Sequence, residues 1–98
     1  MLFHIVCWKY KPETAEAARE EHREQLRALV GVIPEIIGFD VGADILHLER
    51  SFDTGLTSTF LDREALDRYI EHWQHQKVAA LGREISEKII SVDFVSGA

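Results

Sequence analysis

The stretch LFHIVCWKY, residues 2–10, decides the fold. It is rich in aromatic and β-branched residues, which predicts a strand. Side chains alternate across a strand, so Leu2, His4, Val6, Trp8 and Tyr10 share one face, and Phe3, Ile5, Cys7 and Lys9 share the other. Both faces are mostly apolar. A strand that is oily on both sides belongs in the interior of a sheet covered above and below. Lys11-Pro12 closes it.

A helix is predicted from Thr14, as N-cap, to about Ile33. Ala15, Ala18, His22, Leu26, Leu29 and Ile33 recur at steps of three and four and make one face. Glu16, Glu20, Arg23, Glu24 and Arg27 make the solvated side. Pro34 follows its end. A second strand is expected over Ile36 to about Leu46, a third over Phe52–Leu61 as its hairpin partner, and His47–Arg50 as turn or strand extension. In the third, Phe52, Thr54, Leu56, Ser58 and Phe60 alternate with Asp53, Gly55, Thr57, Thr59 and Leu61.

Asp62 is the expected N-cap of a second helix, with Leu66, Tyr69, Ile70 and Trp73 as its apolar stripe. After Trp73 the register slips. His75, Val78, Leu81 and Ile85 form a stripe rotated by about 120°, at ~100° per residue. A break is therefore expected near His72 to Gln74, with a second helical piece running to about Glu87 and interrupted near Gly82. Lys88–Val95 reads as the last strand.

The order is β-α-β-β-α-β in one domain spanning residues 1–98. That is the ferredoxin-like α+β arrangement: a four-stranded antiparallel sheet with both helices on one face. Phe3, Ile5 and Cys7 then lie on a bare face, and no third layer is left to cover it. A second copy of the chain is the expected cover, two sheets packing face to face as a dimeric α/β barrel.

Composition narrows the partners. The chain has 98 residues, 46% of them hydrophobic and 29% charged, and 17 acidic against 11 basic residues give a net charge of −6. No basic run suits a nucleic-acid groove or an anionic membrane surface, and no apolar stretch approaches the ~20 residues of a membrane helix. The first residues are too short and mixed for a signal peptide. One cysteine, Cys7, suits a reducing cytoplasm. No phosphate-binding glycine loop, nucleophile elbow or dinucleotide fingerprint is present, so no cofactor is expected. His72-x-x-His75 has a spacing zinc can use, but neither a cysteine pair nor an HExxH pattern accompanies it, and no metal site is expected.

Five histidines remain to be accounted for. His4 shares its strand face with Val6 and Trp8. If that face meets the helices, His4 and His75 line one cleft with Tyr69. Imidazole titrates near neutrality and can take and return a proton. A phenol can hydrogen-bond a developing oxyanion. Trp8, Trp73 and Val78 would wall in a carbon skeleton, with His72 at the rim. Such a site suits proton transfer next to a carbonyl. His22 lies on the inner line of the first helix, and His47 in a surface loop.

The ordered set His4-Ile-Val-Cys-Trp-Lys-Tyr-Lys11, Ile33-Pro34, Gly42, Phe52-Asp53, Tyr69-Ile-Glu-His72-Trp-Gln-His75 and Val92-Asp93-Phe94 resembles the stress-responsive α/β-barrel domain family, often called Dabb. The resemblance implies a ferredoxin-like fold and a dimeric barrel. One plant member of that family closes a polyketide ring by intramolecular aldol condensation without a cofactor. Carried over, its pattern implies His75 as general base, Tyr69 at the oxyanion and His4 as an orienting group. Leu26 and His22 stand where that cyclase has aromatic pocket residues, and Trp73 where the family commonly has proline. The function expected is binding of a small apolar carbonyl compound, with or without proton-transfer catalysis. The alternatives are a non-catalytic ligand-binding or stress protein, and a cofactor-free monooxygenase or haem-handling barrel.

Overall fold

The computed structural model describes residues 1–97. Its elements run β1 (Leu2–Tyr10), α1 (Glu16–Arg27), a 3-10 turn (Ala28–Gly31), β2 (Gly38–Ala43), β3 (Thr54–Phe60), α2 (Arg63–Glu71), α3 (Trp73–Ile85) and β4 (Ser86–Val95). The sheet order is β2-β3-β1-β4, with every neighbouring pair antiparallel. β1 is interior, as its two apolar faces require, and the expected ferredoxin-like arrangement is the one formed.

The parity of β1 carries into the core. Leu2, Val6, Trp8 and Tyr10 are buried beneath the helices, together with Thr54, Leu56, Ser58 and Phe60 of β3. Leu26, Leu29, Ile33, Leu66, Tyr69 and Val78 close over them. The opposite face pairs Phe3 with Phe94, Ile5 with Val92 and Cys7 with Ile90 across β1 and β4. Phe94, Val92 and Ile90 are exposed there, and the Phe3 and Phe94 rings stack at 5.3 Å.

Four local expectations are corrected. The N-cap of α1 is Ala15, which has no capping side chain; the Thr14 hydroxyl instead donates to the Ile85 carbonyl at 3.1 Å, tying the start of α1 to the end of α3. Arg23 is not on the solvated side but 3% exposed. Its guanidinium reaches Glu16 at 2.8 Å, Glu20 at 3.0 Å and the Thr54 hydroxyl at 3.1 Å, and so carries its own partners inward. The β2–β3 connection, residues 44–53, is longer than expected. Asp53 ends it by accepting from the Tyr10 amide at 2.8 Å and donating its own amide to the Trp8 carbonyl at 2.8 Å.

The fourth correction concerns Gly82, which does not interrupt the last helix. α3 runs unbroken to Ile85 and β4 follows at once. A Cβ on Gly82 would stand 2.9 Å from Trp8 Nε1 and 3.0 Å from His22 Nε2. The glycine is there for close approach of α3 to β1 and α1, not for a bend.

The break between α2 and α3 falls at one residue. His72 adopts φ −62° and ψ 131°, ending α2 and capping α3, and its Nδ1 accepts from the Gln74 amide at 3.1 Å. An imidazole cap thus does at Trp73, the first residue of α3, what a proline there would do by fixing φ.

Candidate functional site

A cavity of about 410 Å³ opens between the sheet and α3. His4, Val6 and Trp8 of β1 form its floor with Leu56 of β3. Leu26 of α1, Tyr69 and Ile70 of α2, and His75, Val78, Ala79 and Arg83 of α3 form its walls, and Ile89 and Ser91 of β4 its edge. Its lining is mainly apolar with a few convergent polar groups, the usual make-up of a small-molecule site.

Tyr69 is the hub. It is fully buried, packed on Phe60 at 4.9 Å and Phe39 at 6.3 Å between ring centroids. The centroid of its ring lies 4.4 Å from that of His75 and 6.0 Å from that of His4. The phenol oxygen has no hydrogen-bond partner among the described residues. Burial pushes the phenol well above its usual range, so it stays protonated and able to donate.

The tautomers of both imidazoles follow from their partners. His75 Nδ1 lies 3.0 Å from the Ile70 carbonyl, which can only accept, so Nδ1 carries the proton and Nε2 of the neutral ring is bare. Burial, with lesser contributions from His4 and Arg83, holds the His75 ring below the usual imidazole value, against the Ile70 hydrogen bond. His75 is therefore neutral near pH 7. His4 Nδ1 is bonded to the Asp93 carboxylate in the same way, which leaves its Nε2 unprotonated when the ring is neutral.

Seven of the ten residues expected at the site line this cavity: His4, Val6, Trp8, Leu26, Tyr69, His75 and Val78. Three do not. Trp73 is 66% exposed, because the turn at His72 swings it outward to stack on the His72 ring. His72 is held as the α3 cap. His22 is buried on the far side of Trp8, at 5.1 Å from its ring, with Nδ1 2.8 Å from the Tyr10 hydroxyl. Burial and then the Arg23 charge drive its pKa down to about 4.

Two further residues bear on the site, Asp93 through His4 and Arg83 in the lining itself. Asp93, one of two carboxylates in β4, can pair with a basic residue, and the register of β1 and β4, with His4 opposite Asp93, makes His4 that residue. Arg83 lies eight residues after His75, which puts the two on one line of α3 with Ala79 between; that spacing was there to be read.

The fold and this cavity define a class: a ferredoxin-like α+β domain with a His-Tyr-His pocket between sheet and helices. The chain belongs to the stress responsive A/B barrel domain family, Dabb, whose family model matches residues 2–96. It is 31% identical over 96 residues to an uncharacterized protein of Streptomyces coelicolor, covering 93% of this chain and 96% of that one. It is 28% identical over 93 residues to olivetolic acid cyclase of Cannabis sativa, covering 93% and 92%. A dimeric ferredoxin-like protein of unknown function from Jannaschia sp. CCS1 superposes with a TM-score of 0.82 at 26% identity, covering 97% of this chain and 98% of that one.

Proposed function

We propose that this chain is a homodimeric barrel protein that takes a small, largely apolar carbonyl compound into the cavity and moves a proton next to its carbonyl. The observation that carries this reading is the buried Tyr69 hydroxyl, unpaired among the described residues, on a ring that packs against both His4 and His75, the latter with its Nδ1 proton held by the Ile70 carbonyl. His75 Nε2 takes a proton from the carbon beside the carbonyl. The electron pair passes to the carbonyl oxygen, where the Tyr69 hydroxyl donates a hydrogen bond to the developing charge. The resulting carbon nucleophile attacks a second carbonyl in the same molecule, whose oxygen takes the electron pair and then the proton held by His75, or it takes that proton back itself. His4, held by Asp93, orients the substrate. The likeness to a cyclase at 28% identity supports the ring-closing outcome.

The second copy covers the face formed by Phe3, Ile5, Cys7, Ile90, Val92 and Phe94. The exposed apolar row and the dimeric relative support this. The one thiol, Cys7, supports a reducing, cytoplasmic setting.

The test is exchange of the α-protons of a medium-chain β-diketone with deuterated water, followed by NMR. The protein is expected to accelerate exchange, and His75→Ala to lose roughly 10²–10⁴-fold while remaining dimeric. Thermal stabilisation by the diketone without accelerated exchange would leave a ligand-binding protein, and an active His75→Ala protein would remove the base from its role.

A further inference from the structure

Arg83 stands apart from the other arginines near the helices. Arg19, Arg23, Arg27, Arg63 and Arg68 each lie within 4.0 Å of a carboxylate, whereas Arg83 has no such partner among the described residues. It is exposed, yet it lines the cavity, and it lines the adjoining hollow with Ile70, His75, Gln76 and Ala79 as well. It is the one permanently charged side chain in the cavity lining, in a chain whose net charge is −6.

From these observations we infer that Arg83 binds an anionic end group of the ligand, so that the cavity selects carbonyl compounds carrying a carboxylate or a phosphate monoester. This rests on the reading of the cavity as a carbonyl-compound site. An unpaired guanidinium with a planar fork of donors matches either anion in two parallel hydrogen bonds. A carboxylate of the protein at this place would cancel the charge, and none is there among the described residues. The geometry also sets a length. Arg83 lies eight residues beyond His75, about 12 Å along the helix axis, and helical side chains lean back towards the N-terminus. A ligand anchored at Arg83 therefore runs a few carbons along the apolar wall of Val78, Ala79 and Ile89 before its reactive end meets His75 and Tyr69. The anion fixes which end of the chain enters first, and that orientation is what a largely apolar cavity cannot supply by itself.

The test is isothermal titration calorimetry with octanoate, octyl phosphate and methyl octanoate, three ligands of matched chain length. Octanoate or octyl phosphate is expected to bind at least about tenfold more tightly than the ester at low salt, with the advantage shrinking as ionic strength rises. The tighter of the two names the end group. Arg83→Gln is expected to remove the advantage and leave binding of the ester intact, while Arg83→Lys keeps part of it. Because Arg83 is exposed, the thermal midpoint of Arg83→Gln should match that of the parent. Equal binding of anions and ester, or a preference that survives Arg83→Gln, would overturn the role of Arg83 and leave the cavity reading standing. If none of the three binds, the cavity reading falls and this inference falls with it.

Discussion

The ring of Tyr69 lies 4.4 Å from that of His75, and its buried hydroxyl meets no partner among the described residues. A buried hydroxyl without a partner costs roughly 1–3 kcal/mol. Tyr69→Phe is therefore expected to stabilise the protein by about 1 kcal/mol, read by urea unfolding, and to slow α-proton exchange of the diketone. A protein sacrifices stability in this way where a ligand completes the hydrogen bond. A less stable Tyr69→Phe protein would show that the hydroxyl already has a structural partner.

His22 gives the fold a pH dependence of defined sign. Its folded pKa is about 4, below the ordinary value of 6.5, because the neutral ring is buried against Tyr10 and Trp8 beside Arg23. As pH falls, the unfolded chain takes up this proton first. The stability due to neutral His22 is thus whole above pH 6.5 and is lost progressively between there and about 4. His75, also held low, adds a loss of the same sign. His22→Asn, whose amide can still bond the Tyr10 hydroxyl, is expected to flatten the slope of unfolding free energy from about pH 7 down to about pH 5. An unchanged slope would assign the acid sensitivity to other groups.

Gly82→Ala tests the packing of α3. Helix propensity alone predicts a gain of about 1 kcal/mol. The added methyl, however, would stand 2.9 Å from Trp8 Nε1 and 3.0 Å from His22 Nε2, and neither ring is a flexible chain end. The clash is expected to win, with a net loss of roughly 1–3 kcal/mol in thermal or urea unfolding and a distorted cavity floor at Trp8. A more stable variant would mean that α3 shifts freely.

Phe94→Asp tests the open face. Phe94 is exposed and stacked on Phe3 at one end of the apolar row. A carboxylate there would lie between two desolvated sheets. Analytical ultracentrifugation is expected to find the parent dimeric and Phe94→Asp monomeric or far weaker in association, since leaving a charge unpaired at a buried interface costs several kcal/mol, about 2–5. A dimeric variant would move the interface elsewhere.

The parity of β1, the alternation of Thr54, Leu56, Ser58 and Phe60, and the slip of register after Trp73 were all legible, because each is a local period set by backbone geometry. Arg23 and Trp73 were misread for one shared reason. A hydrophobicity pattern sees a charge as solvated and an indole as buried. The structure instead supplies Arg23 with two carboxylates and a hydroxyl, and turns Trp73 outward at the His72 cap.

What the sequence by itself determined is the kind and order of elements, the strand face that carries His4, and the helix break that re-aims His75. These depend on neighbours a few residues apart. That His4 meets Asp93 across 89 residues, that His22 falls behind Trp8 and not beside it, and that Arg83 reaches the cavity mouth were decided only in the tertiary structure. Strand register and the rotation of a helix about its axis are chosen by the packing of the whole core, to which every element contributes at once.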